Sequence, residues 1–544
     1  MKRSLCFTMI MVLILSTLAG CTGSSNSSTT TTSPSPASQS SVQTTSTPPS
    51  GNPVSGSPVS SRDTYRMGLF AEPTTMDPAD SKDKVTWMIV MQSYDTLIAY
   101  DVPSGQFIPA LASSWSISED SREVTFEIRQ DVFFHNGDPM TTDDVLWSLQ
   151  RALESSFTNQ LTGPMERFEK TDGTHVKLLL KYPYAPILEA MVTPCFSVVS
   201  RSAAESAAAA GQDFGRMTCG TGAYQLKEWK SGEKMIFESY DSYYNGAPAI
   251  KNVEVIFIPD ASSGSIALED GSIDHYLYLN QSDFQHLDNI TTLQRIEAEG
   301  GVGLFDITFN VTDGIFTDKR LRQAVAYAVN REDMLLGGME GYGQISNSFC
   351  ATSSFGYMDD YPWYQRDIEK AKALMADAGY PNGFDVVFRQ DAVPEYMKPA
   401  EIMQDQLRQI GINVTFEKLE RATWTEQVAG NRDFVATLRM TTMVVNDADY
   451  ILTRRFSSDN LGGANNYSGY QNPTLDALVE KARMLNGVQD RLDIYRQCYD
   501  ILKEDVPFIP LYTDMWPVFI NAKLKGFINH PQNRTAWSKL YFEG

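Results

Sequence analysis

Apolar and polar positions along this chain keep two rhythms from Thr64 onward. Val124, Phe126 and Ile128 alternate with Thr125, Glu127 and Arg129, the period-2 pattern of a half-buried strand. His135-Asn136-Gly137-Asp138-Pro139 follows with turn chemistry. Thr141-Thr142-Asp143-Asp144 then predicts a helix start, with a hydroxyl cap and carboxylates facing the positive end of the dipole. Val145, Leu149, Ala152 and Leu153 share one face of that helix.

The C-terminal half repeats both rhythms in turn. Ile368, Ala371, Leu374, Met375 and Ala378 have helical spacing and stop at Gly379-Tyr380-Pro381. Phe384, Val386 and Phe388 alternate as a strand. Ile402, Met403, Leu407 and Ile410 give a second helix, Gly411 stops it, and Ile412, Val414 and Phe416 give a second strand. Shorter runs predict strands at Met67–Pro78 (leaving into a turn), Lys177–Lys181 and Val253–Ile258, and an Ala-rich helix at Ala203–Ala210. Strands alternating with helices place the chain in the α/β class.

Five hundred and forty-four residues exceed what one core fills, so two or three domains are expected. The net charge of −22 argues against nucleic acid or an anionic membrane surface as a partner, since both would repel the chain. Lys2-Arg3, the apolar run including Met9–Leu15, and Leu18-Ala19-Gly20-Cys21 form a secretory signal over residues 1–20, too short to span a membrane. The last four residues look like a bacterial lipobox, which makes Cys21 the lipidated first residue of the mature chain. Thr22–Ser61 has no charged residue and is almost wholly Ser, Thr, Pro, Gly, Asn and Gln. It is expected to be a disordered tether, the linker running to residue 62.

Six cysteines occur, at 6, 21, 195, 219, 350 and 498. An exported compartment permits disulfides. Cys195–Cys219 is the preferred pair, and four free, buried thiols are the alternative. The five histidines are scattered and no Cys/His spacing suggests a metal site. There is no G-x-S-x-G, H-E-x-x-H or P-loop. Asp143-Asp144 and Asp359-Asp360 are better explained as a helix start and a solvated loop than as acid/base pairs. The expectation is a non-enzyme without cofactor, with an anchored hydrolase as the rival of another class.

Taken whole, the stretch Asp131–Leu153 resembles a signature of family 5 extracellular solute-binding proteins, the peptide- and nickel-binding receptors of ABC importers. Other blocks follow in that family's order: Met76-Asp77-Pro78, Gly220-Thr221-Gly222-Ala223-Tyr224, Tyr243-Tyr244-Asn245-Gly246-Ala247-Pro248, Gly271-Ser272-Ile273-Asp274, Asp318-Lys319-Arg320-Leu321-Arg322-Gln323-Ala324 and Pro507–Tyr512. The likeness covers nearly all of Thr64–Gly544. It implies a type II periplasmic-binding-protein-like α/β fold, with two lobes, a hinge and an additional small domain. The implied division is domain I at 63–107, 219–310 and 508–544, domain II at 108–218 and domain III at 311–507. The implied partners are a small peptide or other small solute and the permease subunits of an ABC transporter. The protein would be a monomer held at the outer face of the cell membrane, or its periplasmic side, by lipid alone.

The resemblance also implies where ligand contacts fall. In Leu438–Leu452 the family commonly carries Gly-Trp, an ammonium-binding Asp and an Asp-Pro-Asp-like end. Aligned on Asp447-Ala448-Asp449, this chain has Thr441, followed by Thr442, at the Trp position and Val444 at the Asp position. Asp447 then either substitutes as the carboxylate or caps a helix. Trp424 matches an aromatic of the domain III wall, and Tyr278 follows the Gly-x-Ile-Asp block. Lys82 and Asp83 occupy the loop after the Asp-Pro turn, and Arg439 has the geometry to meet a carboxylate bidentately. The implied ligand is an oligopeptide or dipeptide; a non-peptide solute such as an oligosaccharide, an opine or another small anion is the alternative.

Overall fold

The computed structural model describes residues 59–461 and 465–544. The expected signal, Cys21 and all but the last residues of the tether lie outside the described residues. Three sheets organise the rest. The largest has seven strands in the order Leu293–Ile296, Val518–Asn521, His275–Tyr276, Thr64–Leu69, Asn252–Phe257, Lys234–Ser239 and Tyr224–Lys230. Thr64–Leu69 runs parallel to both its neighbours. Trp537 packs edge-on against Tyr65, Tyr224 and Phe237, which ties the C-terminal segment into this sheet's core.

The second sheet is antiparallel, in the order Ala112–Ile117, Glu123–Ile128, His175–Leu180 and Met165–Lys170. The amphipathic helix Thr142–Glu154 covers it. Its start has the chemistry expected from sequence: Thr141 Oγ1 accepts from the Asp144 N–H at 3.2 Å, and Asp144 accepts from the Thr141 N–H at 3.0 Å, a capping box. Asp143 pairs with Lys170 at 2.7 Å. Both carboxylates therefore serve the helix start and the strand beside it.

The third sheet is ordered Gly343–Ile345, Phe508–Asp514, Gly303–Phe309 and Ala436–Thr442, all antiparallel. Every residue of Gly303–Phe309 is buried. Beside it stands a parallel pair, Phe384–Asp391 and Ile412–Leu419, joined through the helix Pro394–Arg408. The block Asp318–Ala324 opens the helix Lys319–Ala328, and the Arg322 guanidinium donates to the carbonyls of Phe316 (2.7 Å) and Val506 (3.0 Å).

The chain passes from the first sheet to the third between Ile296 and Gly303, and returns between Asp514 and Val518. Two adjacent crossings of this kind are the connection a hinge needs. The expected domain boundaries at 310/311 and 507/508 fall at the far ends of these strands. Sheet membership puts the crossings at their near ends, because Gly303–Phe309 and Phe508–Asp514 hydrogen-bond with each other and with Ala436–Thr442 and Gly343–Ile345.

The cysteines do not follow the preferred pairing. Cys195, Cys219, Cys350 and Cys498 are all free and buried. Burial pushes each thiol up, Cys350 and Cys498 to about 12, so they behave as small apolar side chains.

Candidate functional site

A cavity of about 750 Å³ opens among helices, loops and a hairpin that flank these sheets. One wall is the helix Lys84–Val90, which begins after the buried Asp77-Pro78 turn. Asp83 caps it, accepting from Thr86 N–H at 2.9 Å and Thr86 Oγ1 at 2.8 Å. Lys84, Trp87, Met88 and Met91 of this segment line the cavity. A second wall is the hairpin Ile98–Asp101 with Gln106–Pro109, which supplies Tyr100 and Ile108. Tyr243 and Tyr244 form a third. Thr442, Met443 and Val444, at the exit of the strand Ala436–Thr442, close it from the side of the third sheet.

Asp95 lies in this wall and accepts hydrogen bonds from Thr221 Oγ1 (2.9 Å) and Tyr243 OH (3.2 Å). Burial raises its carboxyl to about 6, with the hydroxyl donors pulling the other way. Thr221 is delivered by the Gly220-Thr221-Gly222 turn, whose Gly222 N–H donates to Ser93 O at 3.1 Å. A Cβ on either glycine would collide with the Ser93 or Tyr94 backbone or ring. This turn is therefore a close packing of two backbones that holds one wall of the cavity.

Arg534 enters from the C-terminal segment, 3.5 Å from Glu189 and 5.2 Å over the ring of Tyr100. Burial raises the Glu189 carboxyl and lowers the Arg534 guanidinium. Lys84, half-buried at the head of its helix, has its ammonium lowered by burial, against a weaker upward pull from Asp514.

Of the residues expected from sequence, Lys82, Asp83 and Thr442 line the cavity; Val444, which stands at the expected ammonium-binding Asp position, lines it too. Lys82 also sits 4.9 Å over the Phe157 ring. The others do not line it. Asp447 is buried, caps the short helix Ala448–Ile451 and pairs with Arg491 at 2.7 Å. Its charge is met inside the protein by Arg491, with Tyr495 OH donating at 2.6 Å. Trp424 is wholly buried in a cluster with Leu419, Val428, Phe434 and Tyr467, and its Nε1 donates to Thr437 Oγ1 at 3.2 Å. Arg439 stacks 3.9 Å over Trp424. Thr441 donates to Asp306 at 3.2 Å and receives Arg455. Tyr278 is exposed, edge-on to Phe70 at 5.0 Å.

Lys84, Trp87, Asp95, Tyr100 and Arg534 were not singled out from sequence. One local signal existed: a lysine at the first position of a helix is electrostatically disfavoured, so its presence asks for another reason.

The signature described as bacterial extracellular solute-binding proteins, family 5 Middle, matches residues 106–463. The chain belongs to this family. Its members are binding proteins of ABC importers rather than enzymes. The chain is 26% identical over 480 residues to Heme-binding protein A of Haemophilus influenzae, covering 83% of this chain and 87% of that one. It is 26% identical over 488 residues to the probable D,D-dipeptide-binding periplasmic protein DdpA of Escherichia coli, covering 86% and 92%. Among solved structures it is similar to HbpA2 from Haemophilus parasuis, with a TM-score of 0.82 and 25% identity over 88% of this chain and all of that one. The fold is the two-lobed type II periplasmic-binding-protein architecture. No helix among the described residues is long and apolar enough to cross a membrane.

Proposed function

We propose that this family 5 member is the capturing subunit of an ABC importer for short peptides or peptide-like solutes, and that it hands them to the permease. The observation that carries this is the cavity. Its volume of about 750 Å³ falls within the roughly 300–1,000 Å³ of small-molecule sites. Its walls come from segments far apart in the chain, from Lys84–Val90 and Tyr243-Tyr244 to Thr442–Val444 at the edge of the third sheet, so closure of the lobes would bury a solute between them. The first and second sheets would form one lobe and the third sheet the other, with the hinge at 296–303 and 514–518. Relatives that bind heme and D,D-dipeptides support a small organic solute. Leu18-Ala19-Gly20-Cys21 supports export and acylation at Cys21, which would hold a monomeric receptor beside its transporter on a tether.

Val444 favours a second reading, a non-peptide organic anion. A valine at the cavity wall offers nothing to an α-ammonium, and a buried cation needs a paired charge. A thermal-shift screen of the purified protein over di- and tripeptides, oligosaccharides and organic acids separates the two. A bound solute raises stability by mass action, by about 2.7 kcal/mol at a hundred times its Kd. Shifts with peptides sustain the first reading. Shifts with organic acids alone establish the second. Hydrolysis of any probe would remove both in favour of an anchored enzyme.

A further inference from the structure

The two lobes also touch outside the two crossings. The second sheet is fastened to the first: the His135 N–H donates to Gly220 O at 2.9 Å, Tyr240 OH donates to Phe134 O at 3.0 Å, and Arg151 pairs with Asp77. The lobe of the third sheet meets that body at the hinge, where Tyr342 lies edge-on to Phe284 at 4.9 Å and its carbonyl accepts from the Met515 N–H at 3.4 Å. It meets it again at a seam to which neither crossing contributes. There the Ala185 N–H donates to Arg483 O at 3.0 Å, and Ser121 Oγ donates to Asn486 Oδ1 at 3.1 Å. The rings of Tyr182 and Tyr184 stand 5.7 and 5.8 Å from the Arg483 guanidinium.

Local sequence prepares both sides of this seam. The helix Pro473–Arg483 ends at Arg483, and the last carbonyls of a helix have no partner within it. The Arg483 carbonyl finds its donor on the other lobe. Its side chain is held by Asp449 at 2.7 Å and by Thr453, which fixes the guanidinium beside the two tyrosines. The facing segment, Tyr182-Pro183-Tyr184-Ala185-Pro186, carries two prolines whose locked φ stiffens it. A stiff segment loses little conformational entropy when it docks.

The seam is connected to both walls of the cavity. From Ala185 the chain runs through the helix Ile187–Met191 into Val192, Thr193 and Pro194, which line it. Asp449, gripped by Arg483, belongs to the helix Ala448–Ile451, which follows the lining residues Thr442, Met443 and Val444. Joining or parting the seam therefore moves one wall against the other.

We propose that Tyr182–Pro186 is a latch. It docks on the end of the helix Pro473–Arg483 when the lobes close, stabilises the closed form without touching the solute, and lets go when they open. Affinity is then set partly outside the cavity, because the apparent Kd scales inversely with the fraction of protein already in the competent form. The latch rests on the lobe assignment above and not on which solute is captured.

The test uses the purified, solute-free protein. Small-angle scattering reads the radius of gyration, and hydrogen exchange with mass spectrometry reads peptides within 181–192. The main variant joins Tyr182→Ala to Asn486→Ala; both residues are exposed, so the fold should keep its melting temperature. Without Asn486 the Ser121 hydroxyl lacks an acceptor in the closed form, whereas water serves it in the open one. The variant should have a larger radius of gyration and exchange about tenfold faster within 181–192. Exchange in Thr64–Leu69 and Gly303–Phe309 should stay as in the parent. Tyr182→Phe combined with native Asn486 keeps the ring over Arg483 and should behave as the parent. Unchanged radius and exchange in the double variant overturn the latch alone. Faster exchange within 181–192 at an unchanged radius means that the lobes do not part there, and overturns the latch and the lobe assignment together. A lower melting temperature with faster exchange in all three segments reduces the seam to ordinary packing and overturns the latch. No readout here uses a solute, so failure of every probe in the thermal-shift screen would remove the receptor reading and leave the latch standing.

Discussion

The guanidinium of Arg491 lies 2.7 Å from Asp447 Oδ2, and Tyr495 OH donates to the other carboxylate oxygen at 2.6 Å. All three side chains are buried, so Asp447 of the altered ligand motif is consumed in holding the helix Val488–Asp505 against the start of Ala448–Ile451. Removing one member of a buried pair strands the other charge, at a cost of about 3–5 kcal/mol. Arg491→Met should lower stability by that amount in urea unfolding. Arg491→Met combined with Asp447→Leu should recover part of it. Neither residue lines the cavity, so solute affinity should hold in whatever fraction stays folded. A selective loss of affinity without a loss of stability would return Asp447 to the site.

The Gly220-Thr221-Gly222 turn gives a second prediction. Alanine at Gly222 would drive its Cβ into the Ser93 and Tyr94 backbone, which has no rotamer with which to give way. Overpacking of this kind costs about 1–3 kcal/mol. Gly222→Ala should destabilise by at least that much and also weaken solute binding, because Thr221 would no longer meet Asp95. Gly232, at the tip of the hairpin between Tyr224–Lys230 and Lys234–Ser239, has a positive φ but no neighbour near its Cβ position. Gly232→Asn should therefore cost little, asparagine being tolerant of that backbone. Equal effects at both glycines would remove the close-packing argument.

The free thiols are checked by labelling. Cys195, Cys219, Cys350 and Cys498 are buried and unpaired, and their raised values leave almost no thiolate at neutral pH. A soluble form beginning at Val59 should resist a thiol reagent when native. In denaturant without reductant it should take four labels. Two labels, with the Cys195 and Cys219 peptides found joined by mass spectrometry, would restore the disulfide.

Local features were legible from sequence wherever local chemistry decides them. Thr141 and Asp144 lie three residues apart, and their capping box depends on nothing else. Phe384–Asp391 and Ile412–Leu419 announce themselves by alternation and by the glycine stops before them. The cavity is another matter. Lys84 and Arg534 are 450 residues apart, and only the tertiary fold, with the Trp537 anchor in the seven-stranded sheet's core, brings both to one cavity. Asp447 shows the converse. Its motif looked like a ligand site, and its fate was decided by Arg491 on a helix that no local pattern connects to it. Likewise Trp424 satisfied an aromatic-wall expectation by type, while packing with Phe434 and Tyr467 turned it inward.

Stability should fall on acidification, and buried histidines set the range. Burial alone takes His275 down to about 3, and its Nε2 has no partner among the described residues. Burial also leads in holding His530 at about 3 and His135 at about 4. These folded values lie below the unfolded value near 6.5, so the unfolded chain binds protons that the folded chain refuses. The stability they contribute is complete above about pH 6.5 and is lost as pH falls toward 3–4. Each accounts for about 2 kcal/mol between pH 7 and pH 5 by that linkage. Asp95, raised to about 6, works in the opposite sense, since protonation favours its folded form. Comparing variants isolates one group from the other. His275→Leu should narrow the difference in unfolding free energy between pH 7 and pH 5 by about 2 kcal/mol relative to the parent. The same pH dependence in parent and variant would mean that His275 is hydrated or charged in the folded protein, and the buried-imidazole account of acid sensitivity would fall.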